Sequence, residues 1–297
     1  MNYRAGFITF LGRPNVGKST LLNRLVGKKI SITSSRPQTT RHRLLGIRTD
    51  EKTQMIFVDT PGVHISKKRY INRILNKTAR SALEGVDIIL LMIGSEGWTD
   101  EDKLALELAK QHKQTLILLI NKVDRLKDKT RLLPLLEESA GMHNFAEIIP
   151  VSALRGENID ALSERLISHL PESPQLFPAE QTTDRSERFY VSEVIREKLF
   201  RALHHELPYA LAVEVRQFEI KNSLINVDAI VWVEKESQKG IIIGKAGSNL
   251  KAIGSAARKD LEAYFSHKVY LQLWVKVREN WSDNATMLKS VGYLEDV

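Results

Sequence analysis

The sequence predicts two folded units in tandem. A doubly wound α/β domain with a mostly parallel sheet is expected over residues 1–170, and a small α+β domain over 190–297. Three observations carry this. Near-continuous β-branched and leucine-rich runs alternate with amphipathic helical stretches in the first part, as strands covered on both faces do. PESPQLFP at 171–178 then breaks the pattern. Beyond it the order becomes helix, strand, strand, helix, strand, and the last strand alternates like a one-sided sheet.

Residues 7–11 are an apolar run ending at Gly12 and read as a strand, and 18–26 has helical spacing. Residues 44–48 and 54–58 read as a strand pair around a turn at 50–52. A helix is expected at 68–84, strands at 86–93 and 115–120, and a helix between them at 100–110. A helix at 131–138, a short strand at 148–151 and a helix at 158–170 complete the first part. A linker is expected over 171–189. The second part reads as a helix at 191–206, strands at 212–219 and 224–233, a Gly-rich turn at 240–247, a helix at 248–264 and a strand at 269–277. Val269, Leu271, Leu273, Val275 and Val277 share one face of that last strand, so Trp274 points away from it.

Composition narrows the class. The chain has 297 residues, 42% hydrophobic and 27% charged, which excludes a mostly disordered protein. The absence of cysteine excludes disulfide scaffolds, thiolate metal sites and thiol nucleophiles. No apolar run is long enough to span a bilayer, and MNYRAGFITF lacks a signal-peptide layout, so a soluble cytoplasmic protein is expected. The net charge of +8 is uneven: residues 28–80 hold 13 basic residues against Asp50, Glu51 and Asp59. A second basic window, 235–259, sets six basic residues against Glu236 alone. Either patch taken alone also fits a solvated surface; together they point to polyanion contact.

Gly12-Arg13-Pro14-Asn15-Val16-Gly17-Lys18-Ser19, followed by Thr20, fits G-x-x-x-x-G-K-[ST] between a strand and a helix. Glycines let successive backbone N–H groups face phosphates, and the helix aims its positive end at the same anion. Lys18 can reach the β/γ-phosphates and the Ser19 hydroxyl can ligate Mg²⁺. Asp59-Thr60-Pro61-Gly62 ends a hydrophobic strand, where an Asp can hold the Mg²⁺ shell, through water, and a Gly N–H can meet the γ-phosphate. Asn121-Lys122-Val123-Asp124 follows another strand. The Asp124 carboxylate can accept N1–H and the 2-amino group of guanine, a donor pair that adenine lacks. Asn121 would tie this loop to the phosphate loop, and the Lys122 stem can cover the base. The backbone of Val151-Ser152-Ala153 can meet the guanine O6. Each motif sits where a strand ends, which strengthens the set.

GRPNVGKS, DTPG, NKVD and VSA resemble the first, third, fourth and fifth G boxes of translation-factor-type bacterial GTPases. Gln38-Thr39-Thr40-Arg41-His42 resembles the second G box of the Era branch. The resemblance implies that Thr40 closes over Mg²⁺ and the γ-phosphate, with Thr39 as second candidate. Val63 stands where Ras-like proteins place a water-positioning Gln, and the resemblance implies a slow, hydrophobic-substituted GTPase. Asn15 resembles the Asn of relatives that use K⁺ as a charge-supplying ion.

In the second unit, Ile241-Ile242-Ile243-Gly244-Lys245-Ala246-Gly247 carries G-x-x-G, which KH domains use to clamp a single-stranded RNA backbone. Gly94-Ser95-Glu96-Gly97 also matches and reads as an ordinary loop. The second match has Lys239, Lys245 and Lys251 around it, a helix after it, and Ile241, Ile242 and Ile243 as an expected apolar floor for bases. The element order is similar to a type II KH domain. Trp274 can stack on a base or pack.

The resemblance to the Era branch covers almost the whole chain. It implies a P-loop GTPase domain followed by a type II KH domain, and a switch that binds 16S rRNA near its 3′ end. It further implies a role in 16S rRNA processing and 30S subunit biogenesis, GTP favouring RNA binding and hydrolysis favouring release, and a peripheral inner-membrane association. A monomer is expected. Two other classes compete: an RNA-binding protein with a mainly structural GTPase domain, and a metabolic P-loop kinase or ATPase, against which NKVD argues.

Overall fold

The computed structural model describes residues 2–34, 36, 39–62, 78, 81–203, 211–281 and 288. The chain divides into two compact units, one running to Asp184 and the other beginning at Arg185.

The first unit is built on a six-stranded sheet: β1 (Arg4–Leu11), β2 (Leu44–Asp50), β3 (Thr53–Asp59), β4 (Ile88–Gly94), β5 (Thr115–Asn121) and β6 (Glu147–Pro150). The strand order is β2-β3-β1-β4-β5-β6. Five strands run parallel and β2 is antiparallel to β3, with Asp50 opposite Thr53 across the expected tight turn. β3 and β4 are buried at every position. In β4 that burial is why the sequence reads as a near-continuous apolar run; β3 instead buries the polar Thr53, Gln54 and Asp59. Between strands lie α1 (Lys18–Val26), α2 (Asp100–Ala109) and α3 (Leu132–Met142), and α4 (Ile159–His169) follows β6. α2 starts on a capping box: the Thr99 hydroxyl accepts from Asp102 N, and the Asp102 carboxylate accepts from Thr99 N at 3.1 Å. Leu91, Ile93, Leu118, Ile120, Ala105 and Leu106 pack in one core cluster of this unit. Most of the helix expected at 68–84 lies outside the described residues.

The stretch expected to be a linker is tied to this unit over much of its length. Arg4 bridges Glu172, and Ser173 N donates to Tyr3 O at 3.1 Å. Gln54 of β3, fully buried, accepts from Leu176 N and Phe177 N at 2.9 Å and donates to Phe177 O at 2.8 Å. Further on, Ile47 N donates to Thr182 O, and the Asp184 carboxylate accepts from Leu45 N at 2.7 Å. Prolines and polar residues made this segment read as a linker. Backbone groups along the open edge of β2 give it partners instead.

The second unit contains α5 (Glu187–Ala202), β7 (Leu211–Lys221), β8 (Leu224–Val233), α6 (Glu236–Ile243), α7 (Ser248–Phe265) and β9 (Lys268–Val277). α5 begins three residues before the expected domain start at 190, capped by the Ser186 hydroxyl. The sheet order is β7-β8-β9, antiparallel for the first pair and parallel for the second. Its core is separate, drawing on Val191, Leu199, Val231, Ile242, Leu261 and Val269. The expected Gly-rich turn at 240–247 is corrected in its first half: Gly240–Ile243 is the end of α6. Burial of Ile242 in that core outweighs the β preference of three successive isoleucines.

Candidate functional site

The G-box residues meet at the C-terminal ends of β1, β3, β5 and β6, the edge where open α/β sheets place ligands. Gly12 through Gly17 form the loop between β1 and α1. Val16 is fully buried and anchors the loop, while Thr20 lies one residue beyond Ser19 on α1. Gly17 has φ 114°, and a Cβ there would stand 2.2 Å from Asn121 Nδ2, so the position requires glycine. Asn15 also has a positive φ, 60°. Lys18 Nζ donates to Gly12 O and Arg13 O, both at 2.9 Å. Burial pushes its pKa down to about 8, against the opposing field of Asp59. The ammonium is thus held inside the loop, against the loop's own backbone carbonyls.

Ser19, Thr40 and Asp59 are brought together. Ser19 Oγ lies 2.8 Å from Thr40 Oγ1 and donates to Asp59 Oδ2 at 2.9 Å. Asp59 is fully buried, which pushes its pKa up, while hydrogen bonds from Ser31 and Ser19 pull it back. Its Oδ1 is buried and has no hydrogen-bond partner among the described residues. Thr39 instead donates to Arg36 O at 2.7 Å, so of the two threonines only Thr40 reaches Ser19. Arg41 and His42, which follow Thr40 in the chain, are buried. Thr60 is buried, Pro61 follows it, and Gly62 backs onto Pro14. Gln38 and Val63 lie outside the described residues.

Asn121 joins the loops as expected from its type. Its Nδ2 donates to Val16 O at 2.8 Å and its Oδ1 accepts from Ala153 N at 3.0 Å. Ser152 Oγ donates to Asp124 Oδ1 at 2.6 Å and thereby orients the carboxylate. Val123 N donates to Val151 O, so the NKVD and VSA segments are also joined through the backbone. Lys122 has φ 67°, and burial pushes its pKa down.

Several contributors were missed. Ser31 Oγ donates to Asp59 Oδ2 at 2.8 Å. Arg24 of α1 donates to Ala153 O and Leu154 O, holding the VSA loop from below. Glu96 and, at 3.2 Å, the buried Asp102 pair with Arg13 of the phosphate loop. No local pattern marks these residues, because each partner is distant in sequence.

In the second unit, Gly244 has φ 72° and ψ 179°, and a Cβ would meet Asn249 Cγ at 2.6 Å. The turn Lys245–Gly247, with Ala246 at φ 50°, leads into α7. The expected isoleucine floor is corrected: in a helix the three side chains point about 100° apart. Ile242 is fully buried, Ile243 packs on the core, and only Ile241 is exposed. A groove of about 400 Å³ opens instead beside the turn, lined by Gly247, Leu250, Lys251, Ser255, Arg258, Tyr270, Leu271 and Leu273. Its apolar wall comes from α7 and β9. Arg258 lies seven residues after Lys251 on the same helical face, a spacing that the sequence already contained. Lys239 stands 3.5 Å from Glu236, whereas Lys245 and Lys251 are exposed. Trp274 is 54% exposed on the outward face of β9.

A family model described as 50S ribosome-binding GTPase matches residues 7–122, and a KH domain model matches 206–282. The chain is 49% identical over 290 residues to GTPase Era of Coxiella burnetii, covering 98% of each. It is 51% identical over 291 residues to GTPase Era of Xylella fastidiosa, again covering 98% of each. Among solved structures, Era in complex with MgGDPNP and nucleotides 1506–1542 of 16S ribosomal RNA superposes with a TM-score of 0.95 at 37% identity, over 98% of this chain and 99% of that one. A variant of Aquifex aeolicus Era bound to GDP and AlF4− superposes with a TM-score of 0.94 over the same shares. Near-complete coverage at this identity leaves one assignment: the chain belongs to the Era family of GTPases.

Proposed function

We propose that the protein is a GTP-binding, GTP-hydrolysing switch that binds 16S rRNA near its 3′ end and acts in 16S rRNA processing and assembly of the 30S subunit. The observation that carries this reading is the meeting of Ser19, Thr40 and Asp59 beside the buried Lys18. Thr40 belongs to the segment that resembles switch I, so its hydroxyl links that segment to the phosphate loop. The Era relative solved with MgGDPNP and a 16S rRNA segment supports the choice of nucleotide and RNA.

The donors fit Mg²⁺: two hydroxyls and a carboxylate are hard oxygen ligands, and the Asp59 Oδ1 is unpartnered among the described residues. Ser19 and Thr40 would hold the ion directly and Asp59 through water. When bound, it neutralises phosphate charge. Lys18 and the loop amides would bind the β/γ-phosphates and favour negative charge developing there. Asp124, oriented by Ser152, would select guanine, and Asn121 would hold the base loop against the phosphate loop. Val63 carries no hydrogen-bonding group, so water is positioned by the site's shape and turnover is slow. In the same reading Asn15 offers an oxygen to K⁺.

RNA would lie along the groove between the GxxG turn, α7 and β9, with Lys245, Lys251 and Arg258 toward phosphates. Among the described residues no helix is long and apolar enough to cross a membrane. Membrane association in this reading is peripheral, at the cytoplasmic face, and the protein acts as a monomer.

The test is the affinity for a single-stranded RNA matching the 16S 3′ end, measured apo, with GDP and with a non-hydrolysable GTP analogue at one fixed salt concentration. At least fivefold tighter binding with the analogue is expected, the lower end of usual coupling between sites. Equal affinity in all three states would reject the switch and favour an RNA-binding protein with a structural GTPase domain.

A further inference from the structure

Ser31 belongs to none of the G-box motifs, yet it touches the carboxylate at the centre of the site. Its hydroxyl donates to Asp59 Oδ2 at 2.8 Å, and both residues are buried. Asp59 Oδ2 therefore receives two donors, Ser19 and Ser31, while Oδ1 has no hydrogen-bond partner among the described residues. Two donors on one oxygen fix the rotation of a carboxylate and determine which oxygen stays available.

Ser31 is itself firmly held. Asn23, on α1, accepts from Ile30 N and Ser31 N through Oδ1, both at 2.9 Å, and donates to Ser31 O at 2.7 Å. Ile30 and Ile32, on either side, are buried. α1 thus presents two devices four residues apart: Ser19 at its first turn and the Asn23 clamp one turn on. One helix sets both hydroxyls that grip Asp59.

We propose that Ser31 is a positioning residue of the metal site, its hydroxyl fixing the Asp59 carboxylate and thereby setting the affinity for Mg²⁺. This rests on the assignment of Ser19, Thr40 and Asp59 to Mg²⁺. Without Ser31, Oδ2 keeps only the Ser19 proton, and the carboxylate is free to turn away from the water shell it holds. Groups that orient metal-bound carboxylates typically change metal affinity by about ten- to a hundredfold when removed.

The test compares the full-length protein with Ser31→Ala by the release of a fluorescent GDP derivative, titrated with Mg²⁺. The variant is expected to need about tenfold more Mg²⁺ to slow release by half, while its affinity for the GDP derivative in EDTA stays within twofold. An unchanged Mg²⁺ requirement would overturn the proposal. So would equal loss of affinity with and without Mg²⁺, since that is the mark of a general packing role. If Mg²⁺ leaves release from the unmodified protein unaffected, the metal-site assignment falls and this proposal with it.

Discussion

Asn121 shows how much one side chain organises. Only 2% exposed, it reaches Val16 O with its amide nitrogen and Ala153 N with its amide oxygen, so three loops are spaced by one planar group. Asn121→Asp keeps the size and the acceptor for Ala153 but sets a carboxylate against the Val16 carbonyl with no proton between them. The expected cost in GDP binding is about 2 kcal/mol, roughly 30-fold in affinity, read by fluorescence titration. An unchanged affinity would mean that Arg24 and the Val123–Val151 backbone bond hold the loops without it. Lys18 makes the opposite point. Its type and place were legible, but its burial, and the drop in pKa to about 8 that follows, are properties of the folded loop.

At the scale of elements, the segment along β2 and β3 changes how the chain is divided. Gln54 is a buried polar residue inside a strand, and its amide makes four hydrogen bonds, to Leu176 N, Phe177 N, Phe177 O and Thr49 Oγ1. Gln54→Leu would leave two N–H groups and a carbonyl of the strap, the 171–184 segment lying along β2 and β3, without these partners. A loss of about 2–4 kcal/mol in stability is expected, seen as a lower urea midpoint, with an unchanged slope, for the first unit's transition. No loss would mean that this segment is held by its other contacts, at Glu172, Ser173, Thr182 and Asp184. α6 carries a related lesson. Three isoleucines in a row favour a strand by local preference, yet Glu236–Ile243 is helical because one face must supply Ile242 to the core.

For the whole molecule, two units with separate cores imply two melting transitions. In the proposed reading GDP binds the first unit and stabilises it by mass action, about 2.7 kcal/mol at a hundredfold excess over Kd. For a unit of this size that is a rise of about 5–10 °C in one calorimetric transition. The other transition is expected to stay within a degree. Movement of both by similar amounts would show that the GDP form melts as one cooperative body.

Residue order alone makes legible the alternation of buried strands and helices, the four nucleotide motifs, the GxxG turn and the order of the two units. Those signals are local: a spacing of three or four residues, a glycine where φ must be positive, a continuous apolar run for a strand covered on both faces. The tertiary structure alone decided which threonine reaches Ser19, that Ser31 and Asn23 stand behind Asp59, and that Gln54 holds the strap. It also placed the apolar wall of the groove on α7 and β9 rather than on the isoleucines before the turn. Each of these depends on partners between eight and more than a hundred residues apart, brought together by helix and sheet packing. A pattern read along the chain carries no term for such distances, so packing had to supply them.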